Sequence, residues 1–152
     1  MASPFSRLAE LGLALPTVVA PLASYVPAAR TGSLVYTSGQ LPMVDGAMQR
    51  TGKLGTEVTP EHGRELARLC ALNALAAVDS LVGLDAVVRV VKVVGFVASA
   101  PDFTGQPSVV NGASDLLREV FGEAGQHARS AVGVSCLPLD APVEIELIVE
   151  VR

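Results

Sequence analysis

Residues 87–99, Val-Val-Arg-Val-Val-Lys-Val-Val-Gly-Phe-Val-Ala-Ser, restrict the possible folds of this chain more than any other segment. β-Branched side chains crowd the preceding turn of a helix but pack well on a pleated sheet. Here they fall on both faces of the pleat, so the pattern predicts a central strand covered on two sides and stopped by Pro101.

The rest of the chain arranges itself around that strand. Ser3-Pro4 places a capping hydroxyl before a first-turn proline, predicting a short helix over 4–11 with Phe5, Leu8 and Leu11 on one face and Gly12 as its stop. Residues 13–24, interrupted by Pro16 and Pro21, read as an extended connector. Strands over 25–29 and 34–38, turning at Thr31-Gly32, form a hairpin. The glycine-rich stretch 42–56 is either a surface loop or a second hairpin. Thr59-Pro60-Glu61 then opens a strong helix: a cap, a proline at the next position, and an acid where the helix dipole favours it. Leu66, Leu69, Cys70, Asn73, Ala74, Ala77 and Leu81 repeat at helical spacing, mostly as small side chains that allow close approach to a sheet, and Gly83 ends the run. A second helix begins at Pro107 or Ser108, carries Val110, Ala113, Leu117, Val120 and Phe121, and closes at Gly122 and Gly125. Strands over 127–134 and 143–151 complete the order β-β-α-β-α-β-β, an α+β sandwich with helices on one sheet face. Two helices cannot cover both faces, so the second face is expected to be buried in a homo-oligomer.

Composition removes several classes of function. Of 152 residues, 50% are apolar and 17% charged, which excludes a disordered acidic tail. The formal charge is −4, tryptophan is absent and aromatics make up 4%, so the basic groove and stacking platform of a nucleic-acid binder are both missing. No apolar run reaches the roughly eighteen uninterrupted residues of a membrane span. The apolar stretch 11–23 is not read as a secretory signal, because Glu10, Pro16 and Pro21 interrupt its pattern, and a cytoplasmic location is expected. Cys70 and Cys136, each among apolar neighbours, are both expected as buried small hydrophobes.

Among motifs, a phosphate-binding loop, a dinucleotide fingerprint and paired metal-ligand spacings are all absent. The serines lack a nucleophile-elbow context. His62 reads as a solvated first-turn residue, whereas His127 shares strand parity with Arg129 and borders a pocket on one of two balanced readings. Lys53 lies in a glycine-rich loop; Lys92 interrupts the valine strand and is expected to reach water rather than form a Schiff base. Arg129 is the more informative residue. Ala128, Ser130 and Ala131 leave room beside its guanidinium, and a strand arginine among small residues needs an anion: a carboxylate or phosphate held bidentately, or a structural acid, namely Glu144, Glu146 or one from another subunit. Strict alternation over Val143-Glu144-Ile145-Glu146-Leu147 sends both acids to one face. If this strand pairs with the arginine strand, an anion holder lies near a general base; otherwise the acids form an exposed acidic face.

Taken together, Ser38-Gly39-Gln40-Leu41-Pro42, Ala128-Arg129-Ser130-Ala131-Val132, Leu137-Pro138 and Val143-Glu144-Ile145-Glu146 resemble the reactive intermediate deaminase A family, also called RidA, YjgF or L-PSP endoribonuclease-like. The likeness runs from about Ser24 to Val151, making 1–152 one such domain with 1–23 as an N-terminal extension. It implies a chorismate-mutase-like fold, a homotrimer with clefts between subunits, and hydrolysis of 2-imino acids to 2-oxo acids and ammonia without metal or organic cofactor. By that resemblance Arg129 holds the substrate carboxylate and Glu144 orients or activates water, with Tyr25, Gly39 through its backbone, and Asn111 as the remaining pocket positions. Ala131 stands where the family commonly has cysteine. The stretch 102–111, the loop 42–55 and the extension mark a divergent subgroup with an altered cleft mouth. Two alternatives remain: a non-catalytic module binding small carboxylates, and an endoribonuclease, against which the acidic balance and the missing paired-histidine site count.

Overall fold

Two of the helices begin at hydroxyl caps that the sequence announces. In the computed structural model, which describes residues 2–21 and 23–152, Ser3 Oγ accepts the Ser6 amide at 3.1 Å and opens α1 (Pro4–Glu10). Thr59 Oγ1 accepts the His62 amide at 3.2 Å and opens α2 (Pro60–Val82), which Gly83 ends. α1 is tied down by Leu8, 1% exposed, and by Arg7 Nε donating to the Glu119 carbonyl, so the N-terminal segment packs on the domain.

β1 (Ala28–Thr31) and β2 (Leu34–Thr37) form the expected hairpin. It starts three residues later than the alternation suggested because Pro27 has no N–H to give a ladder, which leaves Tyr25 ahead of the strand. The glycine-rich stretch is a second hairpin, β3 (Met43–Val44) and β4 (Ala47–Met48), whose Asp45-Gly46 turn has positive φ at both residues. β5 (Val87–Ala98), α3 (Gln106–Phe121), β6 (Ala128–Val134) and β7 (Val143–Val151) follow, and the main sheet has the order β1-β2-β7-β5-β6.

This order corrects one expectation. β6 and β7 are not neighbours; β5 lies between them, antiparallel to β7 and parallel to β6. A strand reached through a helix returns beside and parallel to the strand it left, so α3 delivers β6 to the edge and the 135–142 link carries the chain back across to β7. Register then settles the faces. Glu144 pairs with Phe96, which pairs with Val132; Leu147 pairs with Val93, which pairs with Arg129. These two rows have opposite parity, so Arg129 lies on the helix-covered face and Glu144 on the other.

The core sits between the sheet and α2 and α3, with Val35, Val93, Val97, Ile145, Leu147 and Val149 from the strands meeting Ala67, Cys70, Ala74, Leu116 and Leu117. On the opposite face Val94, Phe96 and Ile148 are half-buried, while Tyr36 and Val132 are 44% and 45% exposed. β5 is therefore central, as its valines suggested, but within the chain only one of its faces is covered. Cys70 is buried as expected; Cys136, in the 135–142 link, is exposed, as is Leu81 at the end of the α2 stripe.

α2 and α3 meet backbone to backbone at Gly112, where a Cβ would stand 1.9 Å from the Arg64 carbonyl oxygen. No rotamer change relieves a clash with backbone, so Gly112→Ala must push the helices apart. The variant is expected to lose about 3 kcal/mol of stability, a fall in Tm of roughly 6–12 °C by thermal denaturation. An unchanged Tm would show that the helix pair has slack the packing does not reveal.

Candidate functional site

Arg129 is held by one stripe of α3. Its Nη1 donates to Asn111 Oδ1 at 2.7 Å and to Ser114 Oγ at 3.2 Å, and its Nη2 reaches the Pro107 carbonyl at 3.4 Å. Positions 107, 111 and 114 repeat at helical spacing, so three neutral acceptors converge on one guanidinium. Among the described residues no carboxylate lies within ion-pair distance of Arg129; the ion pairs given are Arg7–Glu10, Arg68–Glu119 and Arg89–Glu150. The structural salt bridge to Glu144 or Glu146 is thus absent in the chain. A half-buried guanidinium oriented only by neutral groups has N–H donors left for an anion.

Asn111, a pocket position by resemblance, thus lies beside Arg129 in the fold. Ser114 and His127 form a further layer that sequence reading left incomplete. His127 Nδ1 lies 2.6 Å from the Gly125 carbonyl and its Nε2 lies 2.9 Å from Ser114 Oγ. His127 thus sits behind the arginine through Ser114. Its parity with Arg129 was the available signal; Ser114, inside an apolar helix pattern, gave none.

The second group of residues lies on the other face. Glu144 packs against Gly39 so closely that a Cβ on that glycine would fall 2.7 Å from the Glu144 carboxyl carbon. Gly39 also borders a shallow hollow shared by Val19, Pro21, Tyr25, Gln40 and Met43, which brings Tyr25 and Gly39 together at one mouth. Asn73, predicted only as part of a helix stripe, anchors this segment: its Nδ2 donates to the Leu41 and Met43 carbonyls at 3.1 and 3.0 Å. A polar residue inside a stripe of small apolar ones was the signal for it. Burial, and secondarily the nearby Glu146 charge, push the Glu144 carboxyl above the ordinary carboxylate range. Cys70 lies behind the same strand with its Sγ 3.7 Å from the Val143 carbonyl, and burial pushes its thiol well up, so it is a packing group and not a nucleophile.

Gly39→Ala is expected to displace the Glu144 carboxylate without unfolding the chain, since the group in the way is the end of a flexible side chain. Turnover of a cognate substrate is expected to fall about tenfold at unchanged Tm. A Tm drop of the Gly112→Ala size would instead make Gly39 a structural glycine.

Fold and site together define a class: an α+β domain with a mixed five-stranded sheet, two helices on one face, and an arginine at the sheet edge held by the helix behind it. The family model described as "YjgF/chorismate mutase-like, putative endoribonuclease" matches residues 5–151, and the chain belongs to that family. Protein TCP17 of Trypanosoma cruzi is 46% identical over 149 residues, covering 97% of this chain and 93% of that one. A 2-iminobutanoate/2-iminopropanoate deaminase of Dermatophagoides farinae is 32% identical over 140 residues, covering 92% and 95%. The crystal structure of a putative endoribonuclease from Shewanella oneidensis superposes with a TM-score of 0.96 at 36% identity, covering 99% of this chain and 100% of that one. Among the described residues no helix is long and apolar enough to cross a membrane.

Proposed function

We propose that the protein hydrolyses 2-imino acids to 2-oxo acids and ammonia in clefts shared between copies of the chain. The observation that carries this is Arg129, a guanidinium oriented by Asn111, Ser114 and the Pro107 carbonyl but left without an acidic partner among the described residues. It fits a small carboxylate, and the deaminase among the relatives is named for substrates that carry one.

Within one chain Arg129 and Glu144 project from opposite faces, so a cleft using both needs a second copy. The half-covered sheet face supplies a reason for copies to associate: Tyr36, Val94, Phe96, Val132 and Ile148 offer apolar area beside Glu144. A homotrimer in the family manner would set the Arg129 edge of one copy against the Glu144, Gly39 and Tyr25 mouth of the next.

The chemistry asks little of the protein, because a protonated imine is already electrophilic. Arg129 holds the substrate carboxylate. Glu144, ionised, takes a proton from water as the oxygen bonds to the imine carbon, and the C=N pair moves to nitrogen. Glu144 then returns its proton to the nitrogen of the tetrahedral adduct, the C–N bond breaks as the hydroxyl gives up its proton to the departing ammonia, and ammonium and the 2-oxo acid leave with Glu144 again ionised. No covalent bond to the protein is needed; orientation supplies the rate. Ala131, where the family commonly has cysteine, takes no part in these steps.

The test is ammonia release from freshly generated 2-iminopropanoate and bulkier imino acids, measured against buffer. Acceleration is expected. A folded oligomer that binds 2-oxo acids saturably without accelerating imine loss would make the protein a carboxylate-binding module instead.

A further inference from the structure

Hydrogen-bond directions behind Arg129 can be assigned from the donors and acceptors themselves. The Gly125 carbonyl only accepts, so His127 Nδ1 carries the proton in that 2.6 Å contact. In the neutral ring Nε2 then has only a lone pair, and the Ser114 hydroxyl, 2.9 Å away, donates to it. With its hydrogen committed, Ser114 Oγ faces Arg129 Nη1 at 3.2 Å as an acceptor. The run Gly125–His127–Ser114–Arg129 is thus polarised in one direction, from the guanidinium to a backbone carbonyl. Ser114 is 8% exposed, so its hydroxyl has little water to turn toward. Asn111 Oδ1 accepts from the same Nη1, so that nitrogen is held from two sides, while Nη2 makes one 3.4 Å contact with the Pro107 carbonyl.

We propose that Ser114 and His127 are positioning residues that set the orientation of the Arg129 guanidinium, and through it the affinity of the site for the substrate carboxylate. The proposal rests on the reading of Arg129 as the carboxylate holder, and neither residue touches substrate. Without Ser114 the fork is held by Asn111 at Nη1 and by the long 3.4 Å contact of Nη2 with the Pro107 carbonyl; Ser114 adds a second acceptor at Nη1, and His127 keeps that acceptor aimed. A fork held in plane meets a carboxylate with less orientational freedom to lose, which appears as tighter binding of ground state and transition state alike.

The experiment compares wild type with Ser114→Ala, His127→Phe and His127→Gln. The last retains an amide oxygen able to accept from Ser114. Three readouts are taken: imine-hydrolysis kinetics, binding of 2-oxobutanoate by titration calorimetry, and nitrogen-15 NMR of the His127 ring and of Arg129 rotation about Nε–Cζ. The expected result is a wild-type His127 with its proton on Nδ1 and a slowly rotating Arg129. Ser114→Ala and His127→Phe should raise KM and the 2-oxobutanoate Kd about tenfold with kcat within about twofold, and speed the rotation. His127→Gln should recover most of the affinity. An Nε2–H tautomer, unchanged rotation in Ser114→Ala, or His127→Gln behaving like His127→Phe would overturn the proposal. If wild type neither turns over an imine nor binds the oxo acid, the functional reading fails by itself, and the tautomer and rotation data still decide whether the relay holds Arg129.

Discussion

Arg129→Ala is expected to lower kcat/KM for 2-imino acids by about a thousandfold while the protein stays folded and keeps its oligomeric state. Among the described residues the side chain makes no ion pair, and its partners Asn111, Ser114 and the Pro107 carbonyl are polar groups of α3 outside the apolar core, so its loss leaves the core intact. What disappears is the guanidinium that Asn111, Ser114 and the Pro107 carbonyl hold in place. Arg129→Lys should recover only part of the loss, because an ammonium cannot take the fork geometry that binds a carboxylate through two parallel bonds while its other edge rests on α3. Steady-state ammonia release at several imine concentrations checks this. A mutant within about threefold of wild type would remove Arg129 from the site.

Glu144→Gln is expected to lower kcat by about a hundredfold and to abolish the acid limb of the pH profile. Burial and Glu146 raise the carboxyl of Glu144, so it holds its proton to a higher pH than an ordinary glutamate. As a base it must be ionised; activity therefore rises as pH climbs through that raised value, and glutamine has no such step. The same shift has a stability consequence. A group whose native pKa exceeds the unfolded one favours the folded state fully below the unfolded value, and that advantage is lost as pH rises through the native one. Glu144→Gln should flatten the dependence of Tm on pH across that window, and the rate–pH profile should lose its limb over the same range. An unaltered profile would mean that another group sets the limb.

The legibility of the molecule in its sequence follows the range of the interaction. Caps at Ser3 and Thr59, the stop at Gly83 and the alternation of β7 are decided within a few residues, and each is readable, whereas 42–56 reads equally as a loop or a hairpin. The neighbourhood of β6 was not readable. Hydrophobic alternation says which residues share a face of one strand, but the position of β5 between β6 and β7 is a matter of crossover geometry, and it moved Arg129 and Glu144 to opposite faces. Cys136 had apolar neighbours in sequence yet sits in an exposed link, because local composition does not measure depth. Asn111 came by resemblance as a pocket position, and the fold sets its Oδ1 2.7 Å from Arg129 Nη1. Ser114 and His127 required the fold, since their partnership spans 13 residues and passes between a helix and the start of a strand.

Complementation tests most directly whether imine hydrolysis uses Arg129 of one copy and Glu144 of another. Arg129→Ala and Glu144→Gln chains, each nearly inactive, are co-expressed with different tags and the mixed oligomer is purified. In random equal mixtures of a closed ring, about a quarter of the clefts would join an intact Arg129 to an intact Glu144 from the neighbouring copy, so recovery toward a quarter of wild-type ammonia release is predicted. Mixed oligomers no more active than either parent would contradict a shared cleft.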